Sequence, residues 1–185
     1  MLFAPDTIIT LEFTTDFLNS APEASKSGLD EIATPPELTE LLERHAYSGR
    51  FDRDEAERLE VVETRSRLRA AWTLSPDEMA GEINAMLSEA RAVTQLARHD
   101  AQDWHLHATP RDAPLAERIR VEVSLALADV VRSAETSRMR VCSATNCDGV
   151  LVDFSRNGSK HFCSVRCGNR MNMIAYRERQ TLIPD

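Results

Sequence analysis

No apolar run in the sequence is long enough to cross a membrane. A spanning helix needs about 20 consecutive apolar residues, and no stretch of the 185 residues provides them. The first residues also lack the basic segment, the apolar core and the small-residue cleavage site of an export signal. Charged residues make up 28% of the chain and aromatic residues only 5%. We therefore expect a soluble cytoplasmic protein that has no membrane partner.

The common catalytic motifs are missing as well. The chain has no nucleophile elbow, no glycine-rich phosphate-binding loop and no His-Glu-x-x-His pair. Acidic residues are abundant, but their spacing singles out no general acid and base. We therefore expect that the protein is not an enzyme.

Cysteine is scarce, and its distribution is informative. The chain has only four cysteines, and all of them fall within 26 residues near its C-terminus. They form two closely spaced pairs separated by fifteen residues, which is the pattern of a four-thiolate zinc site. Two disulfides or four free thiols are the alternatives, but disulfides would indicate a secreted chain. We expect one structural zinc ion per chain, bound by Cys142, Cys147, Cys163 and Cys167.

The segments around the cysteines predict a small fold. Residues 150–154 have strand composition, Asn157-Gly158 is a strong hairpin-turn signal, and residues 160–162 would return antiparallel. Cys163 and Cys167 are four residues apart, so they share one face of a predicted helix. We expect a knuckle, then a hairpin, then a helix with the second cysteine pair, similar to a treble clef.

Short motifs in the chain resemble two known families. Cys167-Gly168-Asn169-Arg170 matches the signature of the CGNR zinc-finger family, and residues 153–159 are similar to its hairpin. Upstream, residues 17–20 and 34–38 resemble the ABATE domain, which precedes this finger in stress-induced transcriptional regulators. The resemblance covers about the last 45 residues well. It implies that the finger binds DNA.

Charge is divided unevenly along the chain. Residues 1–137 carry a formal net charge of −12 and residues 138–185 carry +4, although four thiolates around Zn²⁺ would reduce the second value to about +2. Three arginines of the C-terminal part lie at i, i+4 and i+11, one stripe of the predicted helix. This stripe could bind phosphate groups, or it could be an ordinary solvated face of the helix. For Arg170, the alternative is a contact with the knuckle carbonyls. The candidate nucleic-acid-binding residues are Arg156, Lys160, Arg166, Asn169, Arg170 and Arg177.

The first 137 residues predict a mainly helical domain. Two segments have the pattern of a capping box with proline at the first helical position, Thr34-Pro35-Pro36-Glu37 and Ser75-Pro76-Asp77-Glu78. Apolar residues at helical spacing predict one helix after each of these capping boxes. The same spacing predicts two further helices, over residues 53–73 and over residues 114–134. Residues 7–13 could supply a strand.

One segment breaks the helical period and predicts a β-hairpin. Residues 94–98 and 104–108 alternate in polarity around residues 99–103. Trp104, Leu106 and Ala108 would face the core, and His105 and His107 would lie on the other face. A His-x-His pair on a strand can hold a metal, but two half-exposed histidines are the simpler interpretation because no third ligand is near in sequence.

These patterns predict a mainly α fold with small β elements (α+β). A helical ABATE-like domain over residues 1–137 would precede a Cys₄ finger over residues 138–185, with residues 133–137 as a hinge, and the two parts would unfold separately. The leading function is a transcriptional regulator that binds DNA. A zinc-scaffolded protein-interaction module and a thiol redox sensor are the alternatives. The helical domain would take a small-molecule effector or a protein partner, and a homodimer would double the DNA contacts.

Overall fold

The structure is a computed structural model that describes residues 3–98 and 104–181. Within these ranges, six α-helices and four strands follow in the order α1 (Pro5–Asn19), α2 (Pro35–Arg44), α3 (Glu55–Ala71), α4 (Pro76–Glu89), β1 (Gln95–Ala97), β2 (His105–His107), α5 (Leu115–Arg132), β3 (Met139–Val141), β4 (Val150–Val152) and α6 (Val165–Thr181). The strands form two antiparallel pairs, β1–β2 and β3–β4. The predicted mainly helical class with small β elements is confirmed. No helix in the described ranges is long and apolar enough to cross a membrane.

Helices α2 and α4 begin as the sequence predicts. The Thr34 hydroxyl accepts the Glu37 N–H, and the Glu37 carboxylate accepts the Thr34 N–H at 2.8 Å. Ser75 and Glu78 make the same reciprocal pair at the start of α4. Each capping box satisfies donors that have no partner inside the helix, so both helix starts are fixed by local chemistry.

The predicted strand over residues 7–13 is wrong, because this segment belongs to helix α1. Pro5 stands at the first helical position. Thr7, Leu11, Thr14 and Leu18 are buried at spacings of four, three and four residues, which is the period of a helix that faces a core. Packing against α5 therefore outweighs the strand preference of the β-branched residues in the first two turns.

The predicted hairpin forms, but along β2 its two faces are reversed. Strands β1 and β2 pair with Leu96 opposite Leu106, as the alternation indicates. Trp104 and Leu106 are 64% and 45% exposed, however, whereas only 7% of His105 is exposed. Ala108, which follows β2, is buried as predicted. The inner face turns toward polar groups of α5, where the Glu122 carboxylate lies 3.7 Å from the His107 Nδ1 atom. The predicted connecting segment, residues 99–103, lies outside the described residues.

The partner predicted for the strand at residues 150–152 is also wrong. Strand β4 pairs with β3, and the cysteine knuckle of residues 142–149 connects these two strands. The Asn157-Gly158 turn is present, with Gly158 at φ +60°. Residues 160–162 form no strand; the buried Asp153 carboxylate instead accepts the N–H groups of Ser155 and Lys160. Side-chain hydrogen bonds therefore replace a strand ladder in this segment.

The β3–β4 sheet shares the core of the helices. Met139, Val150 and Val152 belong to the same buried apolar cluster as the inner faces of α1 to α5. The Asn19 side chain at the end of α1 donates to the Val150 carbonyl and accepts its N–H, at 2.9 Å and 2.7 Å. The Trp72 indole donates to the Arg140 carbonyl at 3.2 Å. These contacts join the two predicted parts in one core, so we expect them to unfold together rather than separately, and the division of the chain at residues 137 and 138 stays a prediction.

A buried arginine anchors the loop between α1 and α2. Arg65 is only 3% exposed, and its guanidinium donates to both Asp30 carboxylate oxygens, at 2.8 Å and 2.6 Å. A third bond runs to the Ser20 hydroxyl at 2.8 Å. The hydrogen bonds from Arg65 lower the pKa of Asp30, although partial burial opposes them.

This pair predicts a defined pH dependence. Because the folded pKa of Asp30 lies below its unfolded value of about 3.9, its contribution is complete above that pH and is lost as the pH falls through the folded pKa. We expect Asp30→Asn to lower the free energy of unfolding by about 1.5–3 kcal/mol at pH 7. The difference from wild type should stay constant above pH 5 and shrink below about pH 4. Urea unfolding of both proteins across this range checks the prediction, and a difference independent of pH would contradict it.

Candidate metal centre and basic face

Four cysteines meet at the junction of the β3–β4 sheet and α6. Cys142 directly follows β3, and Cys147 lies in the turn that leads to β4. Cys163 precedes α6, and Cys167 lies in the first turn of that helix. The four cysteine sulfur atoms all lie within 4.8 Å of one another. The structure therefore brings together all four residues that the sequence singled out.

The spacing of the sulfur atoms fits a tetrahedral metal site. The Cys147–Cys163 and Cys163–Cys167 Sγ pairs are each 3.7 Å apart, and the Cys147–Cys167 pair is 3.6 Å apart. Zinc–sulfur bonds of about 2.3 Å in a tetrahedron place the sulfur atoms about 3.8 Å apart. A disulfide would need about 2.05 Å. The cluster therefore fits a zinc ion, for which a closed set of four thiolates serves a structural role.

The thiols are crowded enough to need a cation when they ionise. Burial, together with the neighbouring Cys142 and Cys147, raises the pKa of the Cys163 thiol well above its usual range. The Cys163 N–H points at the Cys142 sulfur at 3.4 Å, so the chain already offers a backbone donor to one thiolate. A bound metal would supply the remaining positive charge and keep the thiols deprotonated.

Gly149 leaves no room for a side chain beside the cysteine sulfurs. A Cβ atom there would lie 2.9 Å from the Cys163 Sγ and 3.3 Å from the Cys147 Sγ. On Gly168, in the CGNR signature, the added atom would meet the Phe162 ring at an ordinary 3.4 Å. The two glycines therefore make a matched pair of positions near the cluster.

We expect Gly149→Ala to weaken metal binding, because the new methyl group would displace a ligand sulfur. Overpacking of this kind costs about 1–3 kcal/mol, which corresponds to a loss of affinity of about 5- to 150-fold. Gly168→Ala should leave the affinity within a few-fold of wild type. Competition titrations with a chromophoric zinc chelator measure both values. Equal affinities of the two variants would show that the close approach at Gly149 is unimportant.

Arg140 and Asp153 hold the loop of residues 153–160, and sequence analysis missed their joint role. Asp153 is fully buried. Arg140 reaches across the loop and donates to the carbonyls of Gly158 and Lys160, at 3.0 Å and 2.9 Å. An aspartate that begins a turn and bonds the N–H two residues later is a recognisable local signal. The long-range contribution of Arg140 has no such signal in sequence.

The six candidate nucleic-acid-binding residues fall into two groups. Arg156, Lys160, Asn169 and Arg177 are exposed on the 153–160 loop and on α6, and we call these four the basic face. Arg170 donates to the Thr145 carbonyl at 2.7 Å, so it braces the knuckle. Arg166 donates to the Lys26 carbonyl at 2.8 Å, so it links α6 to the loop between α1 and α2.

Charged residues of both signs surround the position of Arg166. A groove of about 690 Å³ separates the loop after α1 from the cysteine cluster. Its lining includes the carboxylates of Asp16, Glu23 and Glu31 and the cations of Lys26, Arg44, Arg166 and Arg170. Arg166 and Arg170 already donate to backbone carbonyls, so within the described ranges the basic face offers the side chains that are not engaged in this way.

Family models match both parts of the chain. The model of the CGNR zinc finger matches residues 138–180. The model of the ABATE family, described as "Putative stress-induced transcription regulator", matches residues 12–136. The two matches occur in the order that the short motifs predict, so the predicted resemblance is confirmed. No curated protein matches the chain.

Proposed function

The chain belongs to the ABATE family, and on that premise we propose that it is a transcription regulator that binds DNA through its C-terminal part. The four cysteines would bind one structural zinc ion, and the helical part would sense an effector or a protein partner. The observation that carries the proposal is the basic face beside the cysteine cluster, in a chain that is otherwise acidic. No catalytic role is part of the proposal.

The basic face suits contacts with phosphate groups. Arg156 and Lys160 lie on the loop that Arg140 and Asp153 hold in place, so their backbone is ordered before DNA arrives. Arg177 lies on α6, with Asn169 two turns earlier on the same helix. Arginine and lysine contacts with phosphate fix the orientation of a protein on DNA. Asn169 carries an amide that could read a base edge.

The field of this surface is modest. Residues 138–185 carry a formal charge of +4, which falls to about +2 when four thiolates bind Zn²⁺. The formal net charge of −12 on residues 1–137 repels DNA within a Debye length of about 8 Å at physiological salt. A single chain should therefore bind weakly, and a homodimer would double the number of phosphate contacts.

A binding experiment on the full chain tests the proposal. Zinc-loaded protein is titrated against labelled double-stranded genomic fragments at 50 mM salt, with fluorescence anisotropy as the readout. The matched control is Cys163→Ser/Cys167→Ser, which keeps every basic residue and removes half of the metal ligands. Binding by wild type and weaker binding by the control support the proposal. Absence of binding by zinc-loaded wild type refutes it.

A second candidate function rests on apolar residues of α6. Val165, Met173 and Tyr176 are 80%, 52% and 52% exposed. Exposed apolar side chains on a module with a weak positive field favour a protein-interaction role, with zinc as the scaffold. This candidate replaces the first one if the zinc-loaded chain shows no affinity for DNA.

A further inference from the structure

A cavity lies on the far side of the helical part from the cysteine cluster. It has a volume of about 400 Å³ and opens between α1, α5, the β1–β2 hairpin and the loop after α2. Thr7 lines it near the start of α1, whereas Asn19 at the end of that helix contacts β4. Twelve residues of helix separate these positions, which corresponds to about 18 Å. The cavity is therefore a site of its own, and the proposed DNA-binding function makes no use of it.

Two histidines on β2 point into this cavity and face each other. His105 and His107 are two residues apart, so they lie on one face of the strand. Their Nε2 atoms are 2.9 Å apart. Two metal–nitrogen bonds of about 2.0–2.1 Å place the nitrogen atoms about 2.9 Å apart at the right angle typical of copper or nickel and about 3.3 Å apart at the tetrahedral angle of zinc, a difference that a small ring rotation covers. The spacing therefore suits two adjacent ligands of one metal ion, as it also suits one N–H···N hydrogen bond between neutral rings.

The surroundings favour a metal ligand role. The Glu122 carboxylate lies 3.7 Å from the Nδ1 atom of His107, on the side of the ring away from His105. Histidines that bind metals typically present their second nitrogen to a carboxylate, which fixes the tautomer and the orientation of the ring. The Tyr47 hydroxyl lines the same cavity, and its burial and the neighbouring Glu122 carboxylate raise its pKa, so it stays protonated. It supplies an oxygen atom that an ion or its bound water could use.

We propose that His105 and His107 bind a divalent transition-metal ion through their Nε2 atoms, with Glu122 orienting His107. Imidazole pairs suit zinc, copper and nickel, whereas the cysteine cluster takes the softer all-sulfur coordination. Two protein ligands leave open positions on the ion, and these face the cavity. The site is then separate in place and in ligand chemistry from the four cysteines.

Equilibrium dialysis with zinc alone as the probe tests this site in the full chain. Zinc alone is used for both sites, so the number of zinc equivalents per chain can be counted without one metal replacing another. Wild type at micromolar free zinc is expected to hold two equivalents, and His105→Ala/His107→Ala is expected to hold one. His161→Ala removes an exposed histidine outside the cavity and should still hold two.

Glu122→Gln keeps the shape of the site and covers the case in which the double variant does not fold. It should weaken the second equivalent by about 10–100-fold and leave the first unchanged. Wild type that binds only one equivalent would overturn the proposal and would assign the histidine contact to a hydrogen bond. A second equivalent retained by the double variant, or unchanged affinity in Glu122→Gln, would also overturn it.

Discussion

Chelation of the metal is expected to unfold the β3–β4 sheet and to destabilise the helices that pack against it. The cysteine knuckle connects the two strands, and Met139, Val150 and Val152 of those strands lie in the main core. Structural zinc supplies about 10–16 kcal/mol of apparent folding free energy in isolated zinc-finger peptides. Even if a small part of this reaches the helices, the loss of 2–3 kcal/mol lowers the melting temperature by about 4–12 °C in a chain of this size.

The melting temperature of the helical circular dichroism signal, recorded with and without chelator, measures this effect. The matched control is Cys163→Ser/Cys167→Ser, which should already melt at the lower temperature and should not respond to chelator. A helical transition that stays at the same temperature when wild type loses its metal would contradict the shared core. It would restore the independent unfolding that the sequence suggested.

Charge reversal on the basic face is expected to abolish most of the DNA affinity. Arg156→Glu/Arg177→Glu replaces two proposed phosphate-binding cations by anions, and neither residue is one of the four cysteine ligands. Charged hydrogen bonds contribute about 1.5–3 kcal/mol each, so the double variant should bind at least about a hundredfold more weakly. Its salt dependence should also fall by about two phosphate contacts. Anisotropy titrations at several salt concentrations give both quantities.

Arg179→Glu is the control for the single variant Arg177→Glu, because both change the net charge by the same amount. Arg179 is also exposed on α6, but it lies two residues after Arg177 and therefore about 200° further around the helix. Its reversal alters the net charge of the chain by the same amount on the side of α6 opposite Arg177, so the loss of affinity should be smaller. If Arg179→Glu weakens binding as much as Arg177→Glu does, DNA is attracted by net charge rather than by this face. Zinc content of each variant should equal that of wild type.

Local signals in the sequence predicted those features that neighbouring residues determine. The capping boxes at Thr34 and Ser75 depend on atoms within three residues, so their pattern is readable directly. The cysteine spacing likewise limits the possible chemistry, because four thiols in two pairs suit few arrangements. The hairpin pairing of Leu96 with Leu106 follows from alternation around a short loop.

Features set by distant contacts could not be predicted in the same way. Which face of the hairpin turns inward depends on Glu122, which lies on α5 and outside the hairpin. Helix α1 replaces a predicted strand because its buried residues pack against α5. Arg166 and Arg177 look alike in the sequence, but only the structure shows that Arg166 bonds the Lys26 carbonyl, 140 residues earlier in the chain.

The salt dependence of DNA binding by zinc-loaded wild type tests the central proposal most directly. Three to five phosphate contacts predict that the logarithm of the association constant falls linearly with the logarithm of salt concentration, with a slope of about −3 to −4.5. The chelated protein should show a smaller slope and weaker binding, because the loop and α6 lose their common anchor at the cysteines. No detectable binding at 50 mM salt while zinc remains bound, or binding that does not change with salt, would contradict it.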